Sequence, residues 1–75
     1  MSQNGMILDY LLKGNTLTQA EAAEIFGCYR LSARIFDIRE LGFDIRQEME
    51  QNVNRFGKNV RYARYWLKEK ENAVS

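Results

Sequence analysis

In the run LSARIFDIRELGFDIRQEMEQNV, Leu31 to Val53, the spacing of apolar residues changes once, at Gly42. Before it, Leu31, Ile35, Ile38 and Leu41 recur at i, i+4, i+7 and i+10, which is one face of a helix. After it, Phe43, Ile45, Gln47, Met49, Gln51 and Val53 alternate with Asp44, Arg46, Glu48, Glu50 and Asn52. That is a period of two, with one face apolar at its start and more polar toward its end. A helical period does not sit in a strand, nor the reverse. The pattern predicts a helix starting within GCYR and running to Leu41, a stop at Gly42, and then a half-buried strand.

The strand has a partner close by. NRFGKN reads as a hairpin turn, and VRYARYWL as the returning strand. Taking Arg55-Phe56-Gly57 as a three-residue loop closed by Asn54 and Lys58 sets the register. Ile45 then faces Leu67, Gln47 faces Tyr65 and Met49 faces Ala63. On the opposite face Arg46 meets Trp66, Glu48 meets Arg64 and Glu50 meets Tyr62. An Arg46–Trp66 cation–π contact and a Glu48–Arg64 ion pair are expected there, each worth about 0.2–1 kcal/mol. A slip of one residue loses this agreement. The hairpin is long for so small a chain, so its tip must project beyond the core.

Upstream, Ile7, Leu8, Leu11 and Leu12 predict a first helix over Gly5 to Lys13, with Asn4 as N-cap and Gly14 as stop. Leu17, alone between polar residues, suggests a very short extended piece. Thr18 followed three residues later by Glu21 is a capping box. It opens a second helix, Gln19 to Phe26, with Ala20, Ala23 and Phe26 inward and Gly27 at its end. The expected core is Leu8 or Leu11, Leu31, Ile35, Ile38, Phe43, Ile45, Tyr65 and Leu67. Seventy-five residues make one α+β domain, with its core over about 5–68 and a fraying tail over 69–75.

The segment TLTQAEAAEIFGCYRLSARIFDIRELGFDI resembles the compact winged helix-turn-helix domains common in phage and prophage proteins. In those domains a pattern S-A-R-I-x-D-L-R-x-x-G-[FY]-x-I spans the recognition helix and the first wing strand. Ser32, Ala33, Arg34, Ile35, Asp37, Ile38, Arg39, Gly42, Phe43 and Ile45 fit it, and Ala63 to Leu67 resemble the closing wing strand. The resemblance extends over about residues 5 to 68. It implies a winged helix-turn-helix fold of three helices and a long two-stranded wing. It also implies a duplex-DNA-binding regulator acting by site occupancy, as repressor, excision factor or replication accessory. A homodimer is compatible with it.

Composition narrows the alternatives. Residues 1–50 hold five basic and eight acidic side chains, while residues 51–75 hold six basic and two acidic. A polyanion is therefore sought at the wing first, although the net charge is only +1. The sequence has no histidine and a single cysteine, Cys28, read as a small buried hydrophobe. It shows no phosphate loop and no metal-ligand spacing, so neither an enzyme nor a cofactor is expected. No apolar run approaches the roughly 18 residues of a membrane span, and Asp9 interrupts the N-terminal apolar stretch. A cytoplasmic protein with reduced thiols is expected.

Sites follow from the wheel of the third helix. Leu31, Ile35 and Ile38 point one way, and Tyr29, Ser32, Ala33 and Phe36 the other. Tyr29, Arg30, Ser32 and Ala33 suit a major groove, Arg30 for guanine O6 and N7 and Ala33 for a thymine methyl. Arg34 has two uses open to it, a phosphate or an i,i+3 pair with Asp37 worth about 0.2–0.5 kcal/mol. Phe36 is expected to pack, under the wing or in a dimer contact. Tyr65 is assigned to the core and Trp66 to a surface pair with Arg46, with a single-strand stacking platform as their other reading. At the wing, Arg55, Lys58 and Arg61 suit phosphates or the minor groove. Thr18 and Gln19 offer amides to a phosphate at the start of the second helix. The rival reading is an interaction module that docks on a host protein through the third helix and the wing. The near-neutral charge and outward aromatics favour it.

Overall fold

A computed structural model describes residues 2–68, so the expected tail lies outside the described residues. The elements are α1 (Gln3–Leu12), β1 (Leu17–Thr18), α2 (Gln19–Phe26), α3 (Leu31–Glu40), β2 (Ile45–Val53) and β3 (Asn59–Leu67). The three strands form an antiparallel sheet in the order β1-β3-β2.

The change of period at Gly42 is where helix gives way to sheet. α3 ends at Glu40, and Gly42 takes φ +102°, closing the last turn through its amide on the Arg39 carbonyl at 2.9 Å. A Cβ at Gly42 would meet nothing within 4 Å, so only its backbone angle resists substitution. Gly42→Ala is expected to cost about 1–2 kcal/mol, the penalty of a side chain in the left-handed region. Thermal denaturation checks this, and an unchanged melting temperature would remove the requirement for glycine.

The hairpin register is the one the apolar alternation demands. Ile45 pairs with Leu67, Met49 with Ala63 and Val53 with Asn59. The outer-face contacts differ from expectation although their Cα partners agree. Arg46 turns along its own strand to Asp44, with Nε–Oδ1 2.8 Å and a second bond of 3.0 Å, rather than over Trp66. Arg64 donates to Glu50 at 2.9 Å and to Glu21 at 3.3 Å, rather than to Glu48. Strand twist brings diagonal neighbours within reach of a long side chain, and α2 supplies a second carboxylate on the same side.

The short extended piece at Leu17 is real, and it pairs with β3 through Leu17–Tyr65 and Thr18–Arg64. It thereby anchors the start of α2 to the sheet. The capping box is complete: Glu21 N donates to Thr18 Oγ1 at 3.2 Å, and Thr18 N donates to Glu21 Oε1 at 3.0 Å. Helix α1 starts two residues earlier than the apolar pattern suggests. Ser2, not Asn4, is its N-cap, accepting from Gly5 N at 3.1 Å. Asn4 lies in the first turn and donates to Asp37 of α3 at 3.3 Å.

The core contains Ile7, Leu11, Leu17, Ala22, Cys28, Leu31, Ile35, Ile38 and Ile45, with Leu8, Phe43, Tyr65 and Leu67 partly buried against it. On α2 it is Ala22 that is fully buried. Ala20 is exposed and Ala23 half-buried; Ala22 shares the inward face with Phe26, four residues on, which packs against the core. Leu41 follows α3 and is exposed. Tyr10 and Phe26 meet edge to face at 5.4 Å, holding the ends of α1 and α2 together.

Candidate nucleic-acid interface

The turn between α2 and α3 decides where the third helix begins. Gly27 adopts φ +66°, and the Cys28 amide donates to the Ala22 carbonyl at 3.1 Å, folding the chain back over the end of α2. Cys28 is buried there. Arg30 has φ −133° and ψ 65°, and α3 starts at Leu31 rather than within GCYR. Tyr29 and Arg30 therefore stand on the turn, in front of the helix. Arg30 makes no side-chain cap. The cap comes from Gln19 of α2, whose Oε1 accepts from Leu31 N and whose Nε2 donates to Cys28 O, both at 2.7 Å. One amide thus ties down both ends of the turn. Nothing local in the sequence signals this, because the two partners lie nine and twelve residues away.

The ten site residues fall into groups. Tyr29, Arg30 and Ser32 are exposed and Ala33 half-buried, all at the front of α3. Phe36 continues that face and is 62% exposed, so it does not pack under the wing. With Ala33 it adds apolar surface beside the polar Ser32. Arg34 pairs with Asp37 at 3.3 Å, and Asp37 also accepts from Asn4. The i,i+3 pair is thus formed and linked to α1. Thr18 is buried, with its hydroxyl and amide both taken up in the capping box. The Gln19 side chain is spent on the turn.

Arg55, Lys58 and Arg61 are exposed on the wing. Residues 51–68 contain five basic side chains and no acidic one. Arg64 of that set turns inward to Glu21, Glu50 and Thr16. Its bond to Glu50 holds the guanidinium pKa above its ordinary value. Among the described residues Arg30, Arg55, Lys58 and Arg61 have no carboxylate partner. Arg61 lies opposite Gln51, on the sheet face that also carries Gln47. Gln47 accepts from Arg39 of α3 at 3.2 Å, so this face is the one turned toward α3. At the wing base the Arg46 hydrogen bond holds the Asp44 carboxyl below the ordinary carboxylate range, and that charge is answered locally by Arg46.

The candidate interface has two parts. One is the turn and first residues of α3, with a cation, an aromatic ring and small side chains. The other is a projecting wing whose exposed cations have no carboxylate partner among the described residues. From Ile45 to Val53 an extended strand reaches about 27 Å. The radius of gyration is 13.7 Å, against about 11 Å for a globule of this length.

Comparison with known families matches residues 2–70 to the family model described as a winged helix-turn-helix domain. No curated protein and no solved structure matches the chain.

Proposed function

Because the chain belongs to the winged helix-turn-helix domain family, we propose that it binds duplex DNA and acts by occupying a site. The front of α3 enters the major groove and the wing lies along the adjacent backbone. The observation that carries this reading is the placement of Arg30 and of Arg55, Lys58 and Arg61. They are exposed, lack carboxylate partners among the described residues, and lie on the two features this kind of fold presents to a duplex. Arg30, with Tyr29, Ser32 and Ala33, reads base edges, and Phe36 extends the apolar strip available to thymine methyls. Arg34, held by Asp37, contributes at the flank. The Gln19 side chain serves the site by fixing the turn that carries Arg30. The biological role consistent with the Ser32–Ile45 pattern is a phage or prophage regulator.

The few exposed cations of the wing and the α3 flank imply about three to five phosphate contacts, hence a slope of log K against log salt of about −3 to −4 for a monomer. A dimer doubles it. Raising salt from 50 to 200 mM should then weaken binding roughly a hundredfold. The Arg55→Ala/Lys58→Ala double variant should flatten the slope by about 2 for all sequences alike. Arg30→Ala should instead relax preference at one base pair, by about 1–3 kcal/mol. Titration of a labelled mixed pool of duplexes at several salt concentrations tests both. Binding unchanged in the double variant would remove the wing from the interface. Tyr29, 80% exposed, and Phe36 would equally suit a protein surface. Failure of any duplex to bind at low salt would transfer the function to that reading.

A further inference from the structure

At the end of the wing stands an aromatic side chain that neither core nor turn needs. Phe56 is 79% exposed. The three-residue loop that carries it is held by other groups. Asn54 N donates to Lys58 O at 2.9 Å, and Gly57 N to Asn54 O at 2.9 Å. The Asn54 side chain accepts from Phe56 N at 2.9 Å and from Lys58 N at 3.1 Å. Four hydrogen bonds therefore define the loop without using the phenyl ring. They present it outward on a hydrogen-bonded backbone, so little backbone entropy is left to lose on contact.

The surroundings indicate what the ring meets. Arg55 and Lys58 flank it, with the Arg55 guanidinium 5.8 Å from the ring centroid. No acidic residue occurs from 51 to 68. An apolar ring between cations, on a tip free of carboxylates, fits a polyanion that also offers flat apolar faces. Among polyanions, nucleic acid has this chemistry: the cations meet phosphates and the ring meets a base. A tip formed by two strands roughly 4.8 Å apart is narrow enough to send one side chain into a minor groove about 6 Å wide.

We propose that Phe56 is a wedge, inserted from the minor groove between two base pairs and unstacking one step while Arg55 and Lys58 hold the phosphates on either side. Apolar side chains on other architectural binders kink duplexes by this means. The proposal rests on the duplex-DNA reading and adds deformation of the DNA at a step α3 does not touch. Flexible pyrimidine–purine steps at that position are then preferred without any base hydrogen bond.

The test uses duplexes of about 30 base pairs, selected by the protein from a random pool and substituted with 2-aminopurine at successive adenines. This base brightens when it is unstacked. With the wild-type chain, emission should rise severalfold at one step and stay flat elsewhere. Phe56→Ala should abolish the rise and weaken binding by about tenfold, with an unchanged melting temperature, since the ring supports nothing in the fold. Phe56→Leu, another apolar wedge, should keep much of the rise. Arg55→Ala should weaken binding but keep it. Wild-type binding with flat emission at every position overturns the wedge and leaves DNA binding standing. A rise that survives Phe56→Ala does the same. If no duplex binds at low salt, the wedge and the DNA reading fall together.

Discussion

Ile35→Ala is expected to destabilise the domain by about 2–5 kcal/mol, the range for truncating a fully buried branched side chain. Ile35 is 1% exposed at the middle of α3 and belongs to the core cluster that joins α1, β1, α2, α3 and β2. Removing its outer carbons leaves a cavity that short helices tied at both ends collapse into poorly. A domain of this size has roughly 4–11 kcal/mol in total. The loss should therefore lower the melting temperature by roughly 10–40 °C and leave a large unfolded fraction at 37 °C. Ile35→Val should cost about 0.5–1.5 kcal/mol and keep the domain folded. Circular dichroism melts of the pair check both. An unshifted melt for Ile35→Ala would mean that α3 buries a different face.

Gln19→Met should produce the next largest effect. Methionine matches the side chain in shape but offers no comparable donor or acceptor. The variant leaves Leu31 N and Cys28 O without the partners they have at 2.7 Å. Orphaning such partly buried groups costs about 1–3 kcal/mol. The loss should be local as well as global. Amide exchange at Leu31 and in the first turn of α3 should accelerate more than exchange along β3. Duplex affinity should also fall under conditions where the variant remains folded, because Arg30 and Ser32 depend on that turn. Equal exchange in both segments, with unchanged affinity, would show the turn to be held by Gly27 and the core alone.

These two side chains differ in how visible they are beforehand. Ile35 is legible from the spacing of its neighbours, since burial of a helix face depends on a period that recurs every turn. Gln19 is not, since nothing in TQAE distinguishes a glutamine facing solvent from one reaching across a turn. The same contrast holds at the interface. Arg55, Lys58 and Arg61 stand out because a hairpin of this length must carry its tip beyond the core. For Phe36 the sequence left two packing sites open, under the wing or in a dimer contact, and its 62% exposure shows that the wing does not cover it.

What the sequence by itself determined are features closed over short separations: the helix-to-strand change at Gly42, the Thr18–Glu21 box, the Gly27 stop and the hairpin register. Each depends on backbone angles or a repeating pattern within about a dozen residues of the turn that sets it. Tertiary structure alone decided the side-chain pairings between elements. Arg64 chose Glu21, 43 residues away, and Glu50 over Glu48 directly opposite, and Asn4 found Asp37, 33 residues away. The start of α3 was decided in the same way, by an amide from α2. Such choices turn on strand twist and on the angle between packed elements, which the burial of the whole core sets and no local window contains.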